Sequence, residues 1–142
     1  MAQPVNPTLF TSEEALIALL LADIDSASEL FNRYAGSDFA DARCGAIYEL
    51  IFEFYSQGEE EIDVYLIANH FEALGMLTWI GGLFGLHRLT VVGGYLTGRG
   101  ASVDLYSKIL SKDPADQAVR KALTVLDEAT IRMQQRAAEA TN

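Results

Sequence analysis

The chain has 142 residues, half of them hydrophobic, which is enough for one domain with a sizeable core. Twenty acidic against ten basic residues give a net charge of -10. This balance argues against direct nucleic-acid binding, because phosphate contacts depend on clustered Lys and Arg. The acidity favours solubility, and its alternative use is a docking surface for a basic protein.

The chain carries no evident membrane or export signal. Its longest early apolar run, "ALIALLLADI", is too short to span a bilayer, and no basic stretch precedes it as in a signal peptide. The single cysteine, Cys44, excludes an internal disulfide and suits a reducing compartment. We expect a cytoplasmic protein in which Cys44 is a small core residue.

Residues 1–10 hold two of the three prolines and predict an irregular lead-in. Four helices follow, and sequence signals indicate where they begin and end. The start signals are Thr11 with Glu14, Ser26 with Glu29, and Asp63, while Gly36 ends the second helix. The third helix is the clearest: in "DARCGAIYELIFEFYSQG" the apolar residues Ile47, Leu50, Ile51, Phe54 and Tyr55 recur at helical spacing.

Glycines punctuate the middle of the chain. Gly58 and Gly75 follow the third and fourth helices, where a left-handed cap belongs. The stretch "GMLTWIGGLFGL" adds the pair Gly81-Gly82 within an apolar run. Such a pair favours close contact with neighbouring backbone over a loose loop. We therefore expect Gly58, Gly75, Gly81 and Gly82 to be structural glycines.

A glycine-rich joint ending at Gly100 precedes two more helices, which predict an antiparallel hairpin. Asp113-Pro114 marks the start of the last helix, since Pro at the first helical position loses no needed hydrogen bond. Apolar residues then recur at steps of four and three, as in a coiled coil. Two helices cannot cover such a seam alone, so either the bundle or a second copy must, and we expect self-association. The predicted oligomer or partner interface consists of Tyr106, Ile109, Leu110, Val119, Leu123, Leu126 and Met133.

No segment shows sustained strand alternation. The predicted fold class is all-α: a compact helical bundle over residues 11–92, then a C-terminal antiparallel helical hairpin over residues 101–139, within a single domain overall.

The sequence contains no recognisable catalytic pattern. The glycine-rich residues 93–100 lack the Gly-Lys pair of a Walker A loop. His70 and His87 have no partner at a metal-ligand spacing, and neither Ser-x-x-Lys nor Gly-x-Ser-x-Gly occurs. We predict that the chain is not an enzyme, with no catalytic residues, no cofactor and no metal.

Residues of about 12–120 resemble the N-terminal domain of DnaB-type replicative helicases. The resemblance is carried by "EALIALLL", Asp38-Phe39, "AIYELIFEFYSQGEEEIDVYLIANHFEALGML", "WIGGLFGLHRL", "YSKI" and Arg120. It implies an all-helical bundle with a helical hairpin that pairs between subunits in a collar, where primase also docks. The ATPase domain of those helicases, with its phosphate loop, is absent from this sequence.

The resemblance favours a non-catalytic protein-interaction domain of DNA replication. The expected partners are a second copy, in a homodimer or higher oligomer, and the replicative helicase or primase. The alternative is a free-standing regulator, inhibitor or loader from a phage or mobile element that binds a host helicase. A third hypothesis, an unrelated helical enzyme, requires a pocket lined by convergent polar groups.

Overall fold

Helices provide the regular secondary structure of the computed structural model, which describes residues 10–140. Within that range there is no strand, which confirms the predicted all-α fold. The predicted irregular lead-in falls, except for Phe10, outside the described residues. The α-helices are α1 (Ser12–Ala22), α2 (Ser28–Arg33), α3 (Ala42–Ser56), α4 (Val64–Ala73), α5 (Gly82–Gly98), α6 (Val103–Ser107) and α7 (Gln117–Ala140).

Helix α1 forms the centre of the bundle. Its residues from Ala15 to Leu20 are each at most 3% exposed, so α1 is covered on every side. Helix α5 runs parallel to it, because Arg88 contacts Glu14 and, further along both helices, Gly93 lies against Ala18. Helices α3 and α6 also pack against α1. The apolar run that sequence analysis identified at the start of the chain is thus the axis of the core.

Short polar side chains begin the helices as predicted for α1 and α4. In α1 the Thr11 hydroxyl accepts a hydrogen bond from the Glu14 N–H, and the Glu14 carboxylate accepts one from the Thr11 N–H, at 3.2 and 3.0 Å. The Asp63 carboxylate accepts from the Leu66 N–H at 3.0 Å at the start of α4. These contacts satisfy backbone donors that have no partner within the helix.

The glycines at positions 58, 75, 81 and 82 all have positive φ, a backbone conformation that other residues rarely adopt. Gly58 and Gly75 have φ of +80° and +70°, and each sits just past the end of a helix. Gly81 and Gly82 have φ of +110° and +72° where α5 begins. A Cβ added at Gly82 would meet no atom within 4 Å. The pair is therefore needed for a left-handed turn, and the expected close contact is not its purpose.

The second helix differs from its prediction. The segment forms a 3₁₀ turn over Ile24–Ala27 and then the six-residue α2. The Ser26 hydroxyl donates to the Asp23 carbonyl oxygen and caps no helix. Gly36 does not end α2: it lies so close to α3 that an added Cβ would be 2.6 Å from the Gly45 carbonyl oxygen. Packing against distant residues determines the structure of this region, and the local sequence does not indicate such contacts.

The glycine-rich joint predicted before the hairpin is instead the C-terminal part of α5, which continues to Gly98. Gly93 is buried, and an added Cβ there would lie 2.8 Å from the carbonyl oxygen of Ala18 in α1. Its neighbour Gly94 is exposed, with no atom within 4 Å of an added Cβ. Gly93 thus lets α5 approach α1, whereas Gly94 has no such role.

These neighbours form a matched pair of substitutions. Gly93→Ala should lower the free energy of unfolding by about 1–3 kcal/mol, because α1 and α5 must move apart. Gly94→Ala should raise it by about 0.5–1 kcal/mol, because alanine favours the helix. Urea unfolding followed by circular dichroism measures both; equal effects would contradict the close approach at Gly93.

Candidate functional site

A buried serine organises the turn between α6 and α7. The Ser111 hydroxyl donates to the Asp116 carboxylate at 2.7 Å and accepts from the Asp113 N–H at 3.1 Å. The Arg120 guanidinium donates to the Ser111 carbonyl oxygen, and Lys108 lies 3.8 Å from Asp116. These contacts connect the first part of α7 to the end of the segment that begins with α6, so the two form one unit.

Asp127 attaches the middle of α7 to the bundle. Its carboxylate accepts from the Ser12 N–H at 2.5 Å and from the Ser12 hydroxyl at 2.7 Å. Ser12 is only 5% exposed, and its N–H is one of the free donors at the start of α1. A carboxylate at a helix N-terminus is also favoured by the helix dipole. We call this pair of hydrogen bonds the Asp127 clamp.

The two residues after Ser12 bind two further helices. The Glu13 carboxylate accepts from the backbone N–H groups of Ala40 and Asp41, both at 2.9 Å, just before α3. The Glu14 carboxylate lies 2.7 Å from the Arg88 guanidinium of α5, and both side chains are mostly buried. Three consecutive residues therefore connect α1 to α7, α3 and α5.

Burial raises the pKa of Glu13, and the negative charges of Asp41 and Asp127 add to this effect. The hydrogen bonds from the Asp41 and Ala40 backbone act in the opposite direction. Among these residues only Glu14 carries a local signal, as part of the capping box. The partners of Ser12, Glu13 and Asp127 are distant in sequence, so no local pattern indicates these three.

The predicted interface residues occupy different environments. Leu110 is buried in the core of its own chain, and Tyr106 and Ile109 pack against that core. Burial raises the pKa of the Tyr106 hydroxyl. Val119 is half-buried and Leu123 is 9% exposed, whereas Met133 is 55% exposed; the side chain of Leu126 lies outside the described part of the chain. The bundle thus covers the α6 side of the stripe and leaves Met133 open.

The family model described as the DnaB-like helicase N-terminal domain matches residues 5–111, three quarters of the length. The chain belongs to this family. No curated protein and no solved structure matches it.

The family match confirms the resemblance predicted from the sequence and makes the chain a helicase-associated replication domain. In this member of the DnaB-like N-terminal domain family, α1 to α6 lie within the matched residues and α7 lies beyond them. The family match therefore assigns no role to α7.

The histidines and the cysteine of this DnaB-like domain occupy three different environments. His70 makes edge-to-face contacts with Phe54 and Phe71, and His87 is exposed on α5. Cys44 is 5% exposed, and burial raises the pKa of its thiol far above the usual range. Over the described residues, no group of three His, Cys, Asp or Glu side chains could hold a metal ion, and no helix could cross a membrane.

Several large apolar side chains stay exposed on the DnaB-like domain. Half of them lie between the end of α4 and the first turn of α5, and the others are dispersed along the chain. The exposed residues in the described part of the chain are Phe52, Tyr65, Leu74, Trp79, Leu83, Phe84, Leu105 and Met133. Apolar side chains that are scattered singly are normal on a protein surface, so the group between α4 and α5 is the more informative one.

The raised pKa of Glu13 predicts a pH dependence of stability. Between its ordinary pKa of 4.5 and its raised folded value, the folded chain binds more protons at this site than the unfolded chain does. The Glu13 contribution to the free energy of unfolding therefore falls as pH rises through that window. The side chain of Glu13→Gln does not titrate. The free energy of unfolding of wild type should therefore fall relative to that of this variant as the pH rises above 4.5. Urea unfolding of both proteins from pH 4 to pH 7 measures the difference, and a difference that grows in favour of wild type would contradict the assignment.

Proposed function

We propose that this chain is a non-catalytic protein-interaction domain of the replicative helicase assembly, and that it associates with itself through the face formed by α6 and α7. Its membership of the DnaB-like helicase N-terminal domain family supports the setting. The -10 net charge supports protein rather than nucleic acid as the direct partner. We place the domain in the cytoplasm, with its own copies, the replicative helicase and primase as partners.

The observation that carries this proposal is the exposed end of α7. Beyond the Asp127 clamp, α7 continues to Ala140. The side chains described in this part of the helix are exposed, Met133 among them. Helices in proteins gain most of their stability from packing, so a second surface would stabilise the part of α7 beyond the clamp. A second protein provides such a surface.

The spacing of apolar residues supports the same face. Val119, Leu123, Leu126 and Met133 follow one another at intervals of four, three and seven along α7, which keeps them on one side of the helix. Leu110 contributes indirectly, because it packs into the core beneath this face. We therefore assign the direct contacts to the part of α7 around the exposed Met133, with Tyr106, Ile109 and Val119 at the edge of the surface. The buried Leu110 and Leu123 support that surface from within the chain.

The solution mass of the purified chain tests the proposal. Size-exclusion chromatography with light scattering at micromolar concentration should give the mass of a dimer or larger oligomer. Met133→Glu should raise the dissociation constant by roughly tenfold or more, because it places a charge in the proposed contact. The variant should fold normally, since Met133 is already 55% exposed.

Leu74→Glu is the matched control, because Leu74 is 58% exposed on a different helix end. It should leave the mass unchanged. A wild-type monomer, or equal weakening by both substitutions, would contradict the proposed α7 interface. Pull-down of helicase and primase fragments by wild type and by Met133→Glu then shows whether these partners share that surface.

A further inference from the structure

A groove on the bundle has the features of a receptor site for a helix. It lies between α1, the start of α4 and α5, and its volume is about 270 Å³. Ala18, Leu21 and Ile62 supply apolar walls, and Tyr65 and Thr90 stand exposed beside it. This volume is below the usual range of small-molecule sites, about 300–1,000 Å³. It suits a few side chains projecting from a helix, as in helix-in-groove recognition.

One edge of the groove is acidic. Asp63 lines it, and residues 59–61, which are three exposed glutamates, directly precede the lining residue Ile62. The opposite wall carries the exposed His87. A helix that presents an apolar side chain together with a basic one would complement both the walls and the acidic edge.

Helix α7 is the element of the chain that fits this description. Beyond the Asp127 clamp, residues 128–140 carry two basic and two acidic side chains, so this segment is neutral while the other residues have a net charge of -10. The exposed Met133 and Arg136 lie three residues apart, which places them on the same side of the helix. In the described structure Met133 is 55% exposed, so α7 does not insert it into the groove of its own chain.

We propose that the end of α7, beyond the Asp127 clamp, binds the groove of a second copy of this chain. Met133 contacts the apolar walls, and Arg136 lies at the acidic edge beside Asp63. The thirteen residues that follow Asp127 span about 20 Å, enough to reach a neighbouring copy. This inference rests on the proposed self-association and adds the surface that receives α7.

A blocked groove provides the first test. Thr90→Arg places a long charged side chain in the groove that Met133 would occupy, so it should raise the dimer dissociation constant roughly tenfold or more. Thr78→Arg is the matched control: Thr78 is exposed, lies outside the groove and receives the same change of charge. Analytical ultracentrifugation of both variants and of wild type measures the constants.

The outcomes separate the two proposals. Weakening by Thr90→Arg but not by Thr78→Arg supports the groove. A dimer that both variants leave intact overturns the groove and retains self-association. A wild-type chain that remains monomeric overturns both. Equal weakening by the two variants also overturns the groove, because it would reflect net charge alone.

Cross-linking between copies provides an independent readout. A Thr90→Cys copy is mixed with a Met133→Cys copy and treated with a short bis-maleimide; the groove predicts a cross-linked heterodimer. Gln57→Cys mixed with Met133→Cys is the control, since Gln57 is exposed at the end of α3. The native Cys44 should not react, because it is buried and its pKa is raised. Equal yields from the two mixtures would overturn the assignment.

Discussion

The first turn of α1 is the constraint on which the arrangement of the other helices depends. Ser12 binds Asp127 of α7, Glu13 binds the backbone just before α3, and Glu14 pairs with Arg88 of α5. Free N–H groups at a helix start must find acceptors, and carboxylates placed there also interact favourably with the helix dipole. The Ser12 N–H is such a donor of α1, whereas Glu13 accepts from the donors that precede α3 and Glu14 forms an ion pair with α5. Three consecutive residues thus orient three other elements around α1.

This constraint connects the core to the proposed interface. The middle of α1, from Ala15 to Leu20, is buried because α5 approaches it closely at Gly93 and α6 packs against another side. With Leu110 held in that core and Ser111 holding the turn, α7 has two attachments: one near its start and the Asp127 clamp at its middle. The part beyond the clamp keeps Met133 exposed, in a position to contact another molecule.

Local signals were sufficient for much of the fold. The capping box at Thr11, the cap at Asp63 and the stripe of α3 each depend on residues within a few positions, so the sequence predicted those helices. The predictions were wrong where contacts between distant residues determine the structure. Gly36 lies against Gly45, and Gly93, within the continuous helix α5, lies against Ala18. The same holds for the candidate site. The spacing of apolar residues predicted the stripe on α7, but it could not identify the Asp127 clamp or show that Leu110 is buried.

A double-mutant cycle on the Asp127 clamp tests the central claim most directly. The free energies of unfolding of wild type, Ser12→Ala, Asp127→Ala and the double variant give the coupling between the two side chains. The clamp predicts that the double variant is less destabilised than the sum of the two single variants, with a coupling of about 1–2 kcal/mol. Ser12→Ala keeps the backbone N–H that donates to Asp127, so the cycle reports the hydroxyl hydrogen bond, whereas Asp127→Ala removes both hydrogen bonds. Additive effects together with an unchanged stability of Asp127→Ala would contradict the view that the start of α1 positions α7.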